Sequence, residues 1–180
     1  TSPRDFGSWG VLLGSLFVCF IGLVVVEQQG KRLAGGASAP LFLPYTIAVG
    51  MGLHNLGEGL AIGASYGQGQ WALSGLLVSG FALHNGTEGF GIVGPSCSHP
   101  LSLKDIILLG LLAGGPTCLG TVISGYGVAP YFSLGCYALA AGSLLYVIVS
   151  LVALSYTEKH RLQTATGMFI GIGLMYITGM

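Results

Sequence analysis

Two copies of a short polar motif interrupt long apolar segments of this sequence. Each copy reads His-Asn-x-x-Glu-Gly, beginning at His54 and at His84, and each places a glutamate four positions after a histidine. On an α-helix, residues four apart share a face, with Cβ atoms roughly 6 Å apart, so each motif can direct an imidazole and a carboxylate to one point. An ionisable side chain inside a membrane costs roughly 3 kcal/mol on insertion scales, so two matched motifs indicate a functional site.

The residue types of the motifs suit a divalent cation. Imidazole nitrogen, carboxylate oxygen and amide oxygen form a ligand set that accommodates Zn²⁺, Fe²⁺ or Mn²⁺. A structural zinc site would normally use thiolates and close all four positions, whereas weaker, exchangeable ligands suit an ion that must be released. A site of this kind at mid-membrane depth is typical of transport. The candidate metal ligands are His54, Asn55, Glu58, His84, Asn85 and Glu88.

The composition places these motifs in lipid. Hydrophobic residues make up 52% of the 180 residues and charged residues 7%, and the mean hydropathy is +0.80. Soluble domains carry roughly 25% charged residues. The formal net charge is zero and no basic amphipathic run is present, which argues against a nucleic-acid partner. We therefore predict an all-α, polytopic transmembrane helix bundle that contacts the lipid bilayer and a divalent metal ion.

Charges and turn residues divide the sequence into six apolar segments, which we predict to be membrane helices. About 20 residues of helix cross a bilayer, and all but the last segment reach this length. The connections are short and contain no low-complexity tract, so residues 1–180 are expected to form a single transmembrane domain. The segments are Phe6–Val26, Leu41–Tyr66, Trp71–Val93, Ile106–Val128, Tyr131–Ser155 and Ala165–Met180.

The distribution of basic residues predicts the orientation of the bundle. Cytoplasmic loops of membrane proteins are enriched in Lys and Arg. Here the first, third and fifth loops contain such residues, and the second and fourth contain none. We expect the three basic loops to be cytoplasmic, and the compact loops favour a plasma (inner) membrane. The residues concerned are Lys31 and Arg32, Lys104, and Lys159 and Arg161.

Helical rise places the two histidines at similar depths but separates the two glutamates. Counted from the turn near Gln68 at about 1.5 Å per residue, His54 and His84 lie roughly 21 and 24 Å along their helices. The same count gives roughly 15 Å for Glu58 and 30 Å for Glu88. Two arrangements are open: helices bent at the glycines around the motifs, which would bring the ligands together, or a ladder of stations along a pore.

The two motifs resemble the fourth and fifth transmembrane signatures of the ZIP (Zrt/Irt-like protein) family of divalent metal transporters. The first motif continues into Leu60–Gly63 as in that family, and Ala140–Val147 resembles its seventh segment. The resemblance covers nearly the whole chain as segments three to eight of the usual eight. It implies a ZIP-like fold lacking two N-terminal helices and a metal site built from the histidines and glutamates of both motifs. It also implies movement of the cation, Zn²⁺ first, towards the cytoplasm.

Three positions depart from the family pattern. Asn55 and Asn85 fall where many members complete a second metal position, but Gly115 stands where the sixth segment commonly carries a glutamate before a proline. Gly57 and Thr87 stand where prolines frequently precede the glutamates and kink the helices. We therefore expect one metal ion per passage rather than a binuclear centre.

Other interpretations of the motifs carry different consequences. A buried His/Glu pair can be a polar clamp between helices, although two copies holding every deep histidine and carboxylate favour a metal site. An intramembrane metalloprotease would need both histidines and the base on one helix, so neither an enzyme nor a cofactor is expected.

A non-transporting metal-binding protein or sensor stays open as the alternative function. A homodimer stays open as the oligomeric state. Because the metal requires neutral imidazole, its binding should weaken below roughly pH 6.

Overall fold

Six α-helices account for nearly all of the chain that the computed structural model describes, namely residues 3–34, 39–96, 100–127, 129–157 and 160–178. Within these ranges no strand is present and one short 3-10 turn follows the third helix. The prediction of an all-α helix bundle is confirmed. The helices are α1 (Pro3–Ala34), α2 (Ala39–Gly67), α3 (Trp71–Val93), α4 (Leu103–Gly125), α5 (Pro130–Thr157) and α6 (Arg161–Thr178).

The ends of α2, α3 and α5 lie within two residues of the predicted ones, whereas α4 and α6 begin three and four residues earlier than predicted. Lys104 and Arg161 therefore lie in the first turns of helices rather than in the predicted loops. The largest difference is at α1. This helix continues past Val26 to Ala34 and so includes charged residues that we had assigned to the first loop. Glu27 and Lys31 form an ion pair one turn apart within it. Such a pair supports helix at a position where single charges would favour a loop. The segment predicted to end at Val128 ends at Gly125, and Val128 and Met180 themselves lie outside the described residues.

Within the described residues, three helices are long and apolar enough to cross a membrane, over Phe6–Leu33, Leu103–Gly125 and Pro130–Tyr156. The helices α2 and α3 are not among them. Both contain a polar motif and several Gly and Ser residues, which lower their mean hydropathy. The six predicted membrane segments are therefore six helices, of which three meet the criteria of length and composition for a span.

The central element of the bundle is α2, which packs against α4, α5, α3 and α1. Its contact with α4 is the most extensive, and glycines make it close. A Cβ atom at Gly59 would overlap the carbonyl oxygen of Thr117, and one at Gly120 would overlap that of Leu56. Small residues allow helix backbones to approach in this way. The close α2–α4 contact fixes one side of the first motif.

A hydrogen bond joins the second turn of α2 to the first turn of α4. The Tyr45 hydroxyl donates to Asp105 Oδ1 at 2.8 Å. Asp105 also belongs to the capping box that begins α4, in which Ser102 accepts a hydrogen bond from the Asp105 backbone N–H. These contacts place the ends of the first and third loops side by side, with Lys104 adjacent to them. Lys159 of the fifth loop lies outside the described residues.

Candidate metal centre

The turn between α2 and α3 sets the two motifs against each other. Gly69 has a positive φ of 74°, a conformation that glycine adopts without the strain of a side chain. Around it, the backbone N–H of Gln70 donates to the carbonyl of Ser65 at 2.9 Å. The chain thus reverses over a few residues, and α2 and α3 pack side by side in opposite directions.

Both imidazoles of the motifs face both carboxylates. His84 Nε2 lies 2.6 Å from Glu58 Oε1, and His54 Nε2 lies 3.5 Å from the same oxygen. Glu88 Oε1 lies 4.0 Å from His54 Nε2 and 3.9 Å from His84 Nε2. One ligand atom each from His54, Glu58 and His84 lies within 4.8 Å of the others, which is a spacing that could hold a metal ion. We call the side chains of His54, Glu58, His84 and Glu88 the His/Glu cluster.

Side-chain length explains why the cluster is compact although the axial count separated the glutamates. The helical rise per residue gives only the backbone position of each residue along its helix axis. It does not include the length of the glutamate and histidine side chains. In the structure, the two carboxylates approach the paired imidazoles from the two flanking turns. Of the two arrangements left open by the sequence, the structure has the single cluster.

In each of the two asparagines of the motifs, the amide nitrogen donates a hydrogen bond and the amide oxygen accepts none. Asn85 Nδ2 donates to Glu58 Oε2 at 2.8 Å, which links α3 to α2. Asn55 Nδ2 donates to the carbonyl oxygen of Ala113 on α4 at 3.1 Å. Asn85 therefore orients Glu58, and Asn55 anchors the first motif to α4. Both amide oxygens are buried without a hydrogen bond, and their role as metal ligands stays a prediction.

Several oxygen atoms of the motifs are buried without a hydrogen bond. Among the described residues, these include Asn55 Oδ1, Asn85 Oδ1, Glu88 Oε2 and Glu58 Oε1, which is close to His84 but forms no aligned hydrogen bond. An unpaired buried polar atom ordinarily costs about 1–3 kcal/mol. Two carboxylates in one buried cluster also repel each other unless positive charge lies between them. A divalent cation between the two carboxylates would neutralise them and give their unpaired oxygens a partner.

Two features around the cluster were not found from the sequence. The ring of Phe81 packs edge-on against the His84 ring, with centroids 5.6 Å apart. Phe81 lies three residues before His84, so helical spacing could have identified this contact. The second feature is a cavity of about 650 Å³ that contacts all four members of the cluster and is walled by α5 through Tyr137 and Ala140. No local sequence signal indicated that α5 would lie there.

Comparison with known proteins gives one informative similarity. The chain is 26% identical over 181 residues to a protein of Arabidopsis thaliana that is named a putative zinc transporter. The similarity covers 94% of this chain but 28% of that relative, so the chain spans less than a third of the relative's length. No family model matches the chain, and no solved structure matches it.

Proposed function

We propose that this protein moves a divalent metal cation across a membrane through the His/Glu cluster, with Zn²⁺ as the first candidate and Fe²⁺ or Mn²⁺ as further ones. The observation that carries the proposal is the convergence of the two motifs: each imidazole Nε2 lies within 4.0 Å of Oε1 of both glutamates. The similarity to a protein named a zinc transporter supports the same class of substrate.

The ligand types favour transport over permanent binding. Structural zinc sites usually hold the ion with thiolates in a closed shell of four ligands. The cluster offers nitrogen and oxygen atoms alone, and Glu88 Oε1 lies 3.9 Å or more from either imidazole nitrogen. A carboxylate at this distance can move towards an ion that arrives and away from an ion that leaves. The cluster also borders a cavity, which gives the ion a route.

We further propose that the site takes one cation at a time. Glu58 Oε2 already accepts a hydrogen bond from Asn85, so Glu58 has one oxygen available and is poorly placed to bridge two ions. Gly115 offers no ligand from α4 where a ZIP-like binuclear centre would have a carboxylate. Isothermal titration should give one Zn²⁺ per chain.

The basic residues at the helix ends support a proposal for the orientation of the protein in the membrane. Lys31, Arg32 and Lys104 are exposed and lie at the ends of helices that meet near the Tyr45–Asp105 hydrogen bond. Cytoplasmic loops are enriched in such residues. We propose that this end is cytoplasmic, that the cation moves towards it as in the family that the motifs resemble, and that the membrane is a plasma membrane.

A non-transporting metal-binding protein or sensor is the second candidate function. The His/Glu cluster would bind the cation equally well in that case, because nothing in the ligand geometry requires release. The two functions differ in whether bound zinc crosses the membrane. A polar clamp between helices is less consistent with the unpaired buried oxygens, because a clamp would pair them.

Uptake of Zn²⁺ into proteoliposomes tests the proposal. The wild-type protein should show saturable uptake, and the double variant Glu58→Gln/Glu88→Gln should show none. Glu27→Gln is the matched control, because Glu27 is also a partly buried carboxylate but accepts its hydrogen bond from Tyr146 instead. Wild-type protein that binds zinc without uptake would support the sensor. Equal uptake by the wild type and the double variant would refute the cluster as the transport site.

A further inference from the structure

A backbone carbonyl on α5 lies beside the first imidazole of the His/Glu cluster. Ala140 is buried and packs directly on Gly57, since a Cβ atom at Gly57 would lie 2.7 Å from the Ala140 Cβ. This close contact brings the Ala140 carbonyl within hydrogen-bonding reach of the His54 imidazole. The helix α5 therefore supplies a polar atom next to the cluster, although all four side chains of the cluster come from α2 and α3.

The position of His54 leaves one ring nitrogen for this carbonyl. Nε2 faces both carboxylates, at 3.5 Å from Glu58 Oε1 and 4.0 Å from Glu88 Oε1. Nδ1 is buried and forms no aligned hydrogen bond. An imidazole that binds a metal ion through one nitrogen carries a proton on the other, and that N–H ordinarily donates to a carbonyl, a carboxylate or water. The Ala140 carbonyl is an acceptor within reach of it.

A buried serine already uses the same carbonyl. The Ser143 hydroxyl donates to the Ala140 carbonyl oxygen at 2.9 Å, and Ser143 is fully buried. A carbonyl oxygen has two lone pairs, and in the interior of a helix it also accepts the backbone N–H four residues further on. With the serine and the backbone as donors, His54 Nδ1–H would be a third donor to one oxygen.

We propose that Ser143 and His54 compete for the Ala140 carbonyl, and that Ser143 is a positioning residue that lowers the affinity of the His/Glu cluster for the cation. The proposal rests on the proposed function, since it concerns a ligand of the same site. A hydrogen bond from Nδ1–H fixes the ring and makes Nε2 a stronger ligand. The serine weakens that bond, and a cation that is held less tightly is more easily released.

The variant Ser143→Ala tests the competition. It removes the hydroxyl and keeps the carbonyl, so Zn²⁺ affinity in isothermal titration should rise about threefold to tenfold, the range that one hydrogen bond supports. A serine with only a structural role would give no gain, because removing a buried hydrogen bond ordinarily destabilises. Ser65→Ala is the matched control and should bind like the wild type. Ser65 is also buried and donates to the carbonyl three residues before it, but it does not line the cavity at the cluster.

Solid-state nuclear magnetic resonance gives a readout that does not depend on affinity. In zinc-loaded protein in liposomes, nitrogen-labelled histidine and carbonyl-labelled alanine report the distance from His54 Nδ1 to the Ala140 carbonyl. This distance should be shorter in Ser143→Ala than in the wild type. Gly57→Ala places a methyl group against Ala140 and should abolish the contact. The double variant Gly57→Ala/Ala140→Gly moves the methyl group from α5 to α2 and should restore it.

The outcomes separate this proposal from the proposed function. If the wild type binds Zn²⁺ and Ser143→Ala binds it equally or more weakly, the competition is refuted and the metal site stands. The same holds if the distance between His54 Nδ1 and the Ala140 carbonyl is unchanged in Ser143→Ala. If the wild type binds no Zn²⁺, the proposed function fails and the positioning role of Ser143 fails with it.

Discussion

Glu58 and Glu88 differ in their positions within the cluster, and this difference predicts unequal effects of neutralising them. Glu58 is 5% exposed and lies 2.6 Å from His84, whereas Glu88 is 15% exposed and lies no closer than 3.9 Å to either imidazole nitrogen. Glu58 also accepts the hydrogen bond from Asn85. We expect Glu58→Gln to weaken Zn²⁺ binding more than Glu88→Gln.

The magnitude follows from the roles of the two carboxylates. Loss of a residue that only supports a metal ligand typically lowers affinity 10–100-fold. The loss of Zn²⁺ affinity in Glu88→Gln should fall in that range, because the Glu88 carboxylate must move to contact the ion. We propose Glu58 as a direct ligand, and it accepts a cross-helix hydrogen bond, so the affinity loss in Glu58→Gln should exceed about 100-fold, which corresponds to more than about 2.7 kcal/mol.

Isothermal titration calorimetry of the purified variants measures this difference, with Glu27→Gln as the control expected to bind like the wild type. Circular dichroism of each variant checks that the helices are retained. An affinity loss for Glu88→Gln that equals or exceeds that for Glu58→Gln would refute the assignment of Glu58 as the central carboxylate.

Three further predictions concern other parts of the structure. Asn55→Ala removes the hydrogen bond to Ala113 and should lower Zn²⁺ affinity about tenfold in the same titration; unchanged affinity would show that this anchor is unnecessary. Gly59→Ala forces a methyl group against the Thr117 carbonyl and should lower stability by about 1–3 kcal/mol in a thermal unfolding assay. Gly86→Ala is the control and should leave stability unchanged, because a Cβ atom at Gly86 meets no atom within 4 Å. Equal losses of stability in the two variants would refute the close-packing argument. Zinc binding should fall as the pH drops below roughly 6, because protons compete for the imidazoles, and binding that is constant from pH 7 to pH 5 would argue against histidine ligands.

The helix pattern could be predicted from the sequence because apolar runs and turn residues determine it locally. The bounds of α3 were predicted correctly, since a turn over Gln68–Gln70 precedes it and Gly94-Pro95 follows it. The extension of α1 is not predictable in this way, because its charged residues favour a loop by composition, whereas the Glu27–Lys31 pair supports helix. Local charge alone could not distinguish these outcomes.

The pairing within each motif was also predictable, because a spacing of four residues places His and Glu on one helix face. The joining of both motifs into one cluster depends on how α2 and α3 pack laterally, and helical rise does not specify that. The same holds for the Asn55–Ala113 hydrogen bond, which forms only when α4 docks against α2. These contacts are tertiary, and a single sequence gives no direct signal for them.

X-ray absorption spectroscopy at the zinc edge would test the central claim most directly, using wild-type protein loaded with one Zn²⁺ per chain. We expect nitrogen and oxygen neighbours at about 2.0–2.2 Å, multiple scattering from two imidazoles, and loss of this signal in Glu58→Gln/Glu88→Gln. A sulfur neighbour at about 2.3 Å would place the ion on cysteine and contradict the account, as would an unchanged spectrum in the double variant.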